Sequence, residues 1–327
     1  MATVLITPST LAGVGGPYEQ ALRGAGFDLA FPGLPGQLTE DELLHFLPGA
    51  CATIAGSEPY TRRVLAANPA LRVIARAGVG YDAVDLEAAT ERGVAVAIAP
   101  GTNQDSVAEH TFALILGLAK RLAEQHNAVK AGGWPRQANL PLRGRTLGIL
   151  GLGRIGKAVA LRGEAFGMRL LAYEPFPDRE FASRHGVTLA PLDRVFAESD
   201  YLTVHVPLTP ESRHFINRDT LARMKPTAFL INTARGPLVN EADLAAALRA
   251  KRLAGAALDV FETEPVAADN PLLRLDNVLL TPHAAGVDLQ SRDDMALSAA
   301  QAIIKLSRGE WPAEQIVNPA VRSKFRW

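Results

Sequence analysis

Short apolar runs alternate with helix-like segments along the whole chain, and this alternation constrains the fold more than any other feature. Residues 3–7, 27–31, 52–55, 72–75 and 94–98 read as strands, separated by helical patterns at 18–24, 40–46, 61–67 and 86–92. A second series of strands follows at 147–150, 170–173, 201–204, 228–232, 255–259 and 278–281, again with helices between them, including 241–251. An antiparallel pair closes with a short hairpin, whereas a parallel pair needs a long crossover, so strands joined by helices imply parallel sheets. The fold class is therefore α/β, with two parallel-sheet units. Pro100-Gly101 ends the first series. One long helix over 106–131, apolar at Phe112, Ile115, Leu116, Ala119 and Leu122, leads into the second. A final helix over 288–307 is expected to return to the first unit, so that both chain ends share it and the second unit is inserted. Segments 142–144 and 284–288 are the candidate crossings.

Composition removes several classes of function. A length of 327 residues suits two domains, at roughly 100–200 residues each. Lys+Arg and Asp+Glu both total 34, and no long run of like charge occurs, so no surface for nucleic acid is expected. Cys51 is the single cysteine, which leaves no intrachain disulfide and no cysteine metal site; no metal is expected. The longest apolar run, 112–119, falls short of the ~18 residues of a membrane span. The N-terminus lacks the basic stretch of a secretory leader. The chain is read as soluble and cytoplasmic.

The sharpest local signal is Gly151-Leu152-Gly153-Arg154-Ile155-Gly156, which follows the strand at 147–150 and opens a helical pattern over 155–166. Strand, glycine turn and helix in that order form the setting of a dinucleotide-binding loop. Gly151 permits the tight turn, Gly153 lets backbone approach the pyrophosphate, and Gly156 lets helix pack on strand. The helix N-terminus presents N–H groups to phosphate. The next strand ends at Glu174, 18 residues after Gly156, near the ~20 expected of an acidic ribose ligand. A carboxylate there accepts from ribose hydroxyls and repels a 2′-phosphate, so NAD is expected over NADP, although Arg179 and Arg184 follow downstream.

Three later strands each end in ionisable residues: Asn232-Thr233-Ala234-Arg235-Gly236, then Asp259 through Glu264-Pro265, then Thr281-Pro282-His283-Ala284-Ala285-Gly286. Ligands of open α/β sheets bind at the carboxyl ends of strands, so a guanidinium, a carboxylate and an imidazole can meet in one crevice. Those are the groups a carbonyl reduction uses.

At these residues the sequence resembles the D-isomer-specific 2-hydroxyacid dehydrogenases, a family that includes 3-phosphoglycerate dehydrogenases and glyoxylate/hydroxypyruvate reductases. The resemblance spans nearly the whole chain. It extends to Arg76-Ala77-Gly78-Val79-Gly80-Tyr81-Asp82, Ser106-Val107-Ala108-Glu109-His110 and Val204-His205-Val206-Pro207-Leu208-Thr209. It implies two Rossmann-like or flavodoxin-like domains: a discontinuous substrate domain over 1–101 and 287–327, and an NAD-binding domain over 102–286, closing on the substrate between them. It also implies Arg235, Glu264 and His283 as catalytic residues, with Arg154, Ile155, Val206, Pro207, Thr233, Ala234, Arg235, Asp259, His283 and Ala285 as further cofactor contacts. The substrate contacts implied are Gly78, Val79 and Gly80, with Arg76 as a candidate cation. His205 is expected to be structural or near the adenosine, and Trp134 matches a family loop.

The activity implied is hydride transfer between NAD and a small D-2-hydroxyacid or 2-ketoacid such as glyoxylate or hydroxypyruvate. One alternative is a 3-phosphoglycerate dehydrogenase, for which Arg76 and Arg136 are the visible phosphate cations. Because the chain ends at Trp327, the regulatory domain of many such enzymes is not expected. Glu264 speaks against a formate-type dehydrogenase. A rival of another class is an NAD-sensing binding protein similar to the corepressors of this architecture. A homodimer joined through the cofactor domains is expected, since Leu114 and Leu118 widen the apolar surface of the 106–131 helix.

Overall fold

The computed structural model describes residues 2–327. The chain divides into two compact units, one comprising the chain up to Asn103 together with Val287–Trp327, the other Gln104–Gly286.

In the first unit, strands β1 (Ala2–Ile6), β2 (Phe27–Ala30), β3 (Ala50–Ala55), β4 (Val73–Arg76) and β5 (Ala95–Ala97) form one sheet in the order β2-β1-β3-β4-β5. Every pairing is parallel. Successive side chains of a strand face opposite ways, and both faces here are covered. Val4 and Ile6 enter one apolar cluster with Ile54 and Val73, whereas Leu5 enters the other with Ile74 and Val96. The helix Leu289–Ser307 starts at a capping box in which Asp288 accepts from the Ser291 N–H at 2.7 Å. Its buried Ala296, Ala299, Ala300 and Ile303 lie in the first of those clusters, so the chain's last long helix does return to the first sheet. Asn318 then fastens the tail to β5, accepting from Val96 N and donating to Val94 O, both at 2.9 Å.

The second unit holds β6 (Thr146–Leu150), β7 (Arg169–Tyr173), β8 (Val187–Leu189), β9 (Tyr201–Val204), β10 (Phe229–Asn232), β11 (Gly255–Leu258) and β12 (Val278–Leu280). Their order is β12-β11-β10-β9-β6-β7-β8, all parallel. The order reverses between β6 and β9, the switch point at which such sheets open a crevice beyond their carboxyl ends. Leu147 and Ile149 pack on one face, Leu150, Leu202 and Leu230 on the other. Strand β8 escaped the sequence reading because it has only three residues, one of them exposed.

The expected single helix over 106–131 is two helices, Gln104–Ala119 and Leu122–Lys130. Arg121 between them takes a left-handed backbone, φ 52°. The carbonyl of Ala119, which a continuous helix would give to its own next turn, accepts from Leu140 N at 3.1 Å instead, and Lys120 Nζ donates to Leu140 O. The break also changes which residues are covered. Leu114 is 2 % exposed and Leu118 packs against the same core, so neither extends an outward apolar face. Leu122, expected on the buried stripe, is 55 % exposed, and Val129, Trp134 and Leu140 join it outside. No helix among the described residues is long and apolar enough to cross a membrane.

Candidate active site

The glycine loop at the switch point shows which glycines the backbone itself demands. Gly151 has φ +92°, and a Cβ there would lie 2.6 Å from His205 O. A Cβ on Gly156 would lie 2.0 Å from Gly151 O, so the turn and the helix crossing it are in backbone contact. Gly153 differs: nothing lies within 4 Å of its missing Cβ, and it stands as N-cap of the helix Arg154–Ala165 with no side chain capping it. That combination of open space and an uncapped N-terminus of a twelve-residue helix fits a pyrophosphate.

Glu174, just beyond β7, is half-buried beside this loop. One oxygen accepts from Leu152 N at 2.9 Å and the other from Phe176 N at 3.1 Å. The carboxylate is therefore tied to the loop by backbone donors. Downstream, Arg184 pairs with Glu180 on an exposed helix. Across the loop, His205 sits beneath Gly151 with Nε2 2.9 Å from Thr203 Oγ1, and burial pushes its imidazole down to about 3. The ring is therefore neutral, and its buried Nδ1 meets no hydrogen-bond partner among the described residues. Val206 and Pro207 follow it beyond the end of β9.

Three loops after β10, β11 and β12 bring the other groups together. Asn232, fully buried, shapes the first by accepting from Ala234 N and donating to Arg235 O. Arg235 itself donates through Nη1 to Ala234 O at 2.7 Å. Next to it, a Cβ on Gly236 would lie 1.8 Å from Phe261 O, so only glycine lets this loop close on the one after β11. In that loop Glu264 Oε1 accepts from Phe261 N at 2.9 Å, and Oε2 stands 2.6 Å from His283 Nδ1. Burial pushes the Glu264 carboxyl up, but the His283 hydrogen bond and charge, the Phe261 N–H and the Arg235 charge together hold it below its ordinary value. His283 has φ 52°, a left-handed conformation unusual for a residue with a Cβ, and its side chain is 38 % exposed. With Nδ1 taken by Glu264, Nε2 is the nitrogen left to meet a ligand.

Asp259, at the end of β11, has no exposed side-chain surface. Its oxygens accept from Thr281 Oγ1 at 2.6 Å, Ala284 N at 2.9 Å and Ala285 N at 2.8 Å. It was read from sequence as a cofactor contact, and the structure gives its carboxylate these three partners within the His283 loop. Thr233 lies beside the same region, Oγ1 3.0 Å from Thr111 Oγ1. Sequence reading did not single out Thr111 or its neighbours Ser106 and His110 as individual site residues. Ser106 and His110 lie in a segment that carries the family resemblance, but nothing in their spacing ties either side chain to the loops after β11 and β12.

In the first unit, the loop after β4 carries Gly78, Val79 and Gly80. Gly78 O accepts from Ala99 N at 2.9 Å, and Gly80 O accepts from Arg76 Nε at 2.8 Å. The three amides donate to no acceptor among the described residues. Arg76, expected as a substrate cation, is 6 % exposed and braces the loop's backbone. Arg136, the other phosphate candidate, is exposed in the second unit. Among the described residues no group of acids, histidines or cysteines could hold a metal ion.

Residues 112–285 match the family of the D-isomer specific 2-hydroxyacid dehydrogenase, NAD binding domain. The chain is 42 % identical over 272 residues to a glyoxylate reductase of Korarchaeum cryptofilum, covering 81 % of this chain and 82 % of that protein. It is 41 % identical over 284 residues to a D-3-phosphoglycerate dehydrogenase of Archaeoglobus fulgidus, covering 86 % of this chain but 54 % of that longer protein. A D-lactate dehydrogenase from Aquifex aeolicus, solved with NAD and lactic acid, superposes with a TM-score of 0.83 at 31 % identity, covering 96 % of this chain and 99 % of that one. Parallel sheets, glycine loop and family match agree, and the chain belongs to the D-isomer-specific 2-hydroxyacid dehydrogenases, NAD-dependent oxidoreductases that act on a small hydroxy or keto acid.

Proposed function

We propose that this enzyme interconverts a small, unphosphorylated D-2-hydroxyacid and its 2-ketoacid, of the size of glyoxylate or hydroxypyruvate, with His283 as proton-transferring group. The observation that carries the reading is the 2.6 Å contact between His283 Nδ1 and Glu264 Oε2. It fixes the ring, leaves Nε2 for the substrate oxygen, and sets an anionic partner behind the imidazole. NAD supplies the hydride chemistry when bound. In reduction, His283 donates its Nε2 proton to the carbonyl oxygen and is left neutral; in oxidation it takes the hydroxyl proton back. Glu264 stabilises the charged ring. Arg235 forks onto the substrate carboxylate and neighbouring oxygen, orienting the acid and polarising its carbonyl.

The amides of Gly78, Val79 and Gly80 receive the substrate carboxylate, and Arg76 holds their loop in shape. That buried place for Arg76 favours an unphosphorylated acid over 3-phosphoglycerate. The unit Gln104–Gly286 binds the cofactor and the other unit binds the substrate. Gly151, Gly153, Arg154, Ile155 and Gly156 enclose the pyrophosphate. Glu174 takes the adenosine ribose and favours NAD over NADP, while Val206, Pro207, Thr233, Ala234, Asp259 and Ala285 line the cofactor's path. Two copies join through their cofactor units. Leu122, Val129, Trp134 and Leu140, each at least 41 % exposed, support this as large apolar side chains of that unit for a second copy to cover.

A panel of glyoxylate, hydroxypyruvate, pyruvate and phosphohydroxypyruvate, each followed by NADH oxidation, tests the substrate. The highest kcat/KM should fall on glyoxylate or hydroxypyruvate. A preference for phosphohydroxypyruvate would replace this reading with the phosphoglycerate alternative.

A further inference from the structure

The helix Gln104–Ala119 places Ser106 and His110 one turn apart on a single face. Both reach the loop that carries His283. Ser106 Oγ donates to Ala285 O at 2.8 Å, and His110 Nε2 lies 3.0 Å from Thr281 Oγ1 and 3.5 Å from Asp259 Oδ1.

Hydrogen counting gives this contact a direction. A threonine hydroxyl has one hydrogen, and that of Thr281 goes to Asp259 Oδ1 at 2.6 Å. Thr281 Oγ1 must then accept from His110, so the proton of His110 sits on Nε2. The relay runs from His110 N–H to Thr281 O–H to the Asp259 carboxylate, which also accepts the amides of Ala284 and Ala285. Those amides immediately follow His283, whose own N–H is held by Asp259 O at 2.7 Å. The backbone between them turns through φ 52° at His283. A left-handed residue with a Cβ persists only where its surroundings fix it, and His110 and Ser106 supply that fixing from outside the loop.

We propose that His110, assisted by Ser106, is a positioning residue: it anchors the Thr281–Asp259 hub that holds His283 in its left-handed turn and its Nε2 in line with the substrate. The proposal rests on the reading of His283 as the proton-transferring group. Its readout is therefore turnover with cofactor affinity measured beside it: Asp259 and Ala285 of the hub also line the cofactor's path, so a positioning role predicts a loss in kcat larger than any change in NADH Kd.

The test compares the parent with His110→Phe, His110→Gln, His110→Asn and His283→Ala, using the best acid of the panel for kcat and NADH fluorescence for cofactor Kd. Phe keeps the ring and lacks the donor; the Gln amide reaches the position of Nε2 and that of Asn falls short. His110→Phe and His110→Asn should lower kcat about fivefold, the order of one lost hydrogen bond, with NADH Kd changing less than kcat, and His110→Gln should recover most of the loss. Should the Phe variant prove insoluble, Gln against Asn makes the same comparison. Parent-like kcat in His110→Phe or His110→Asn while His283→Ala is inactive would overturn the proposal alone. So would Gln and Asn depressed alike, or NADH affinity falling in step with kcat. Parent-like turnover in His283→Ala would instead remove the underlying reading, and the proposal with it.

Discussion

Replacing Glu264 by Gln keeps the shape of the side chain and removes one acceptor. In the parent, its two oxygens receive two donors, Phe261 N–H at 2.9 Å and His283 Nδ1 at 2.6 Å. An amide has one oxygen and one NH2, so only one of those donors keeps its acceptor. If the amide oxygen stays with Phe261, the NH2 meets Nδ1, and the ring can accept that bond only when Nδ1 is unprotonated. The imidazole then carries its proton on Nε2 but cannot gain positive charge without losing the contact. If the oxygen turns to His283, Phe261 N–H is left unpaired. An unpaired buried donor costs about 1–3 kcal/mol. His283 is 38 % exposed and Glu264 25 %, so water softens the loss toward the lower half of that range. A loss of about 1.4–2 kcal/mol corresponds to a fall of about 10- to 30-fold in kcat.

The pH dependence has a definite sign. Glu264 ionises below its ordinary value in the folded protein, so the pair is intact at neutral pH and weakens only as pH falls through that lowered value. The parent should therefore hold its reductive activity into acid beyond the ordinary carboxylate range, while Glu264→Gln has no carboxylate to titrate and loses that limb. Steady-state NADH oxidation with the best ketoacid, from about pH 3.5, below the ordinary glutamate value, to about pH 8, measures both effects. Parent-like kcat with a parent-like acid limb would refute the reasoning.

Glu174→Ser should narrow the kcat/KM preference for NADH over NADPH, and a parent that prefers NADPH would remove Glu174 from its role. It should also loosen the glycine turn, since Leu152 N loses its 2.9 Å acceptor; a raised KM for both cofactors would report that. Gly156→Ala puts a methyl 2.0 Å from Gly151 O, and NADH binding by fluorescence should be abolished or the variant should not fold. Light scattering should give twice the chain's 34.9 kDa, and Trp134→Ser with Leu122→Ser should shift it toward the monomer; an active parent monomer would contradict the dimer.

Much of this is legible in the sequence alone, for reasons that differ between residues. Strands such as Gly255–Leu258 announce themselves because a strand buried on both faces is a continuous apolar run. The helix Glu40–Phe46 is equally plain, since Thr39 and Glu42 form its capping box. The break at Arg121 was not legible, because what diverts the Ala119 carbonyl is Leu140, some twenty residues downstream. Nor was the burial of Arg76 or the bond of its Nε to the Gly80 carbonyl, because both depend on how the 76–80 loop folds back on itself. Arg235, Glu264 and His283 were visible as strand-end residues and through family resemblance. The chain Ser106, His110, Thr281 and Asp259 joins residues up to 179 apart in sequence through Ser106 and Ala285, a distance no local pattern spans.

The central claim is that the His283 imidazole moves the substrate proton, and its removal is the most direct measurement. His283→Ala should lower kcat for ketoacid reduction by about 10²- to 10⁴-fold, the usual worth of general acid–base catalysis. NADH Kd measured by fluorescence should change far less than kcat, because the glycine loop and Glu174 are untouched. A variant that binds NADH normally and turns over at the parent rate would contradict the account.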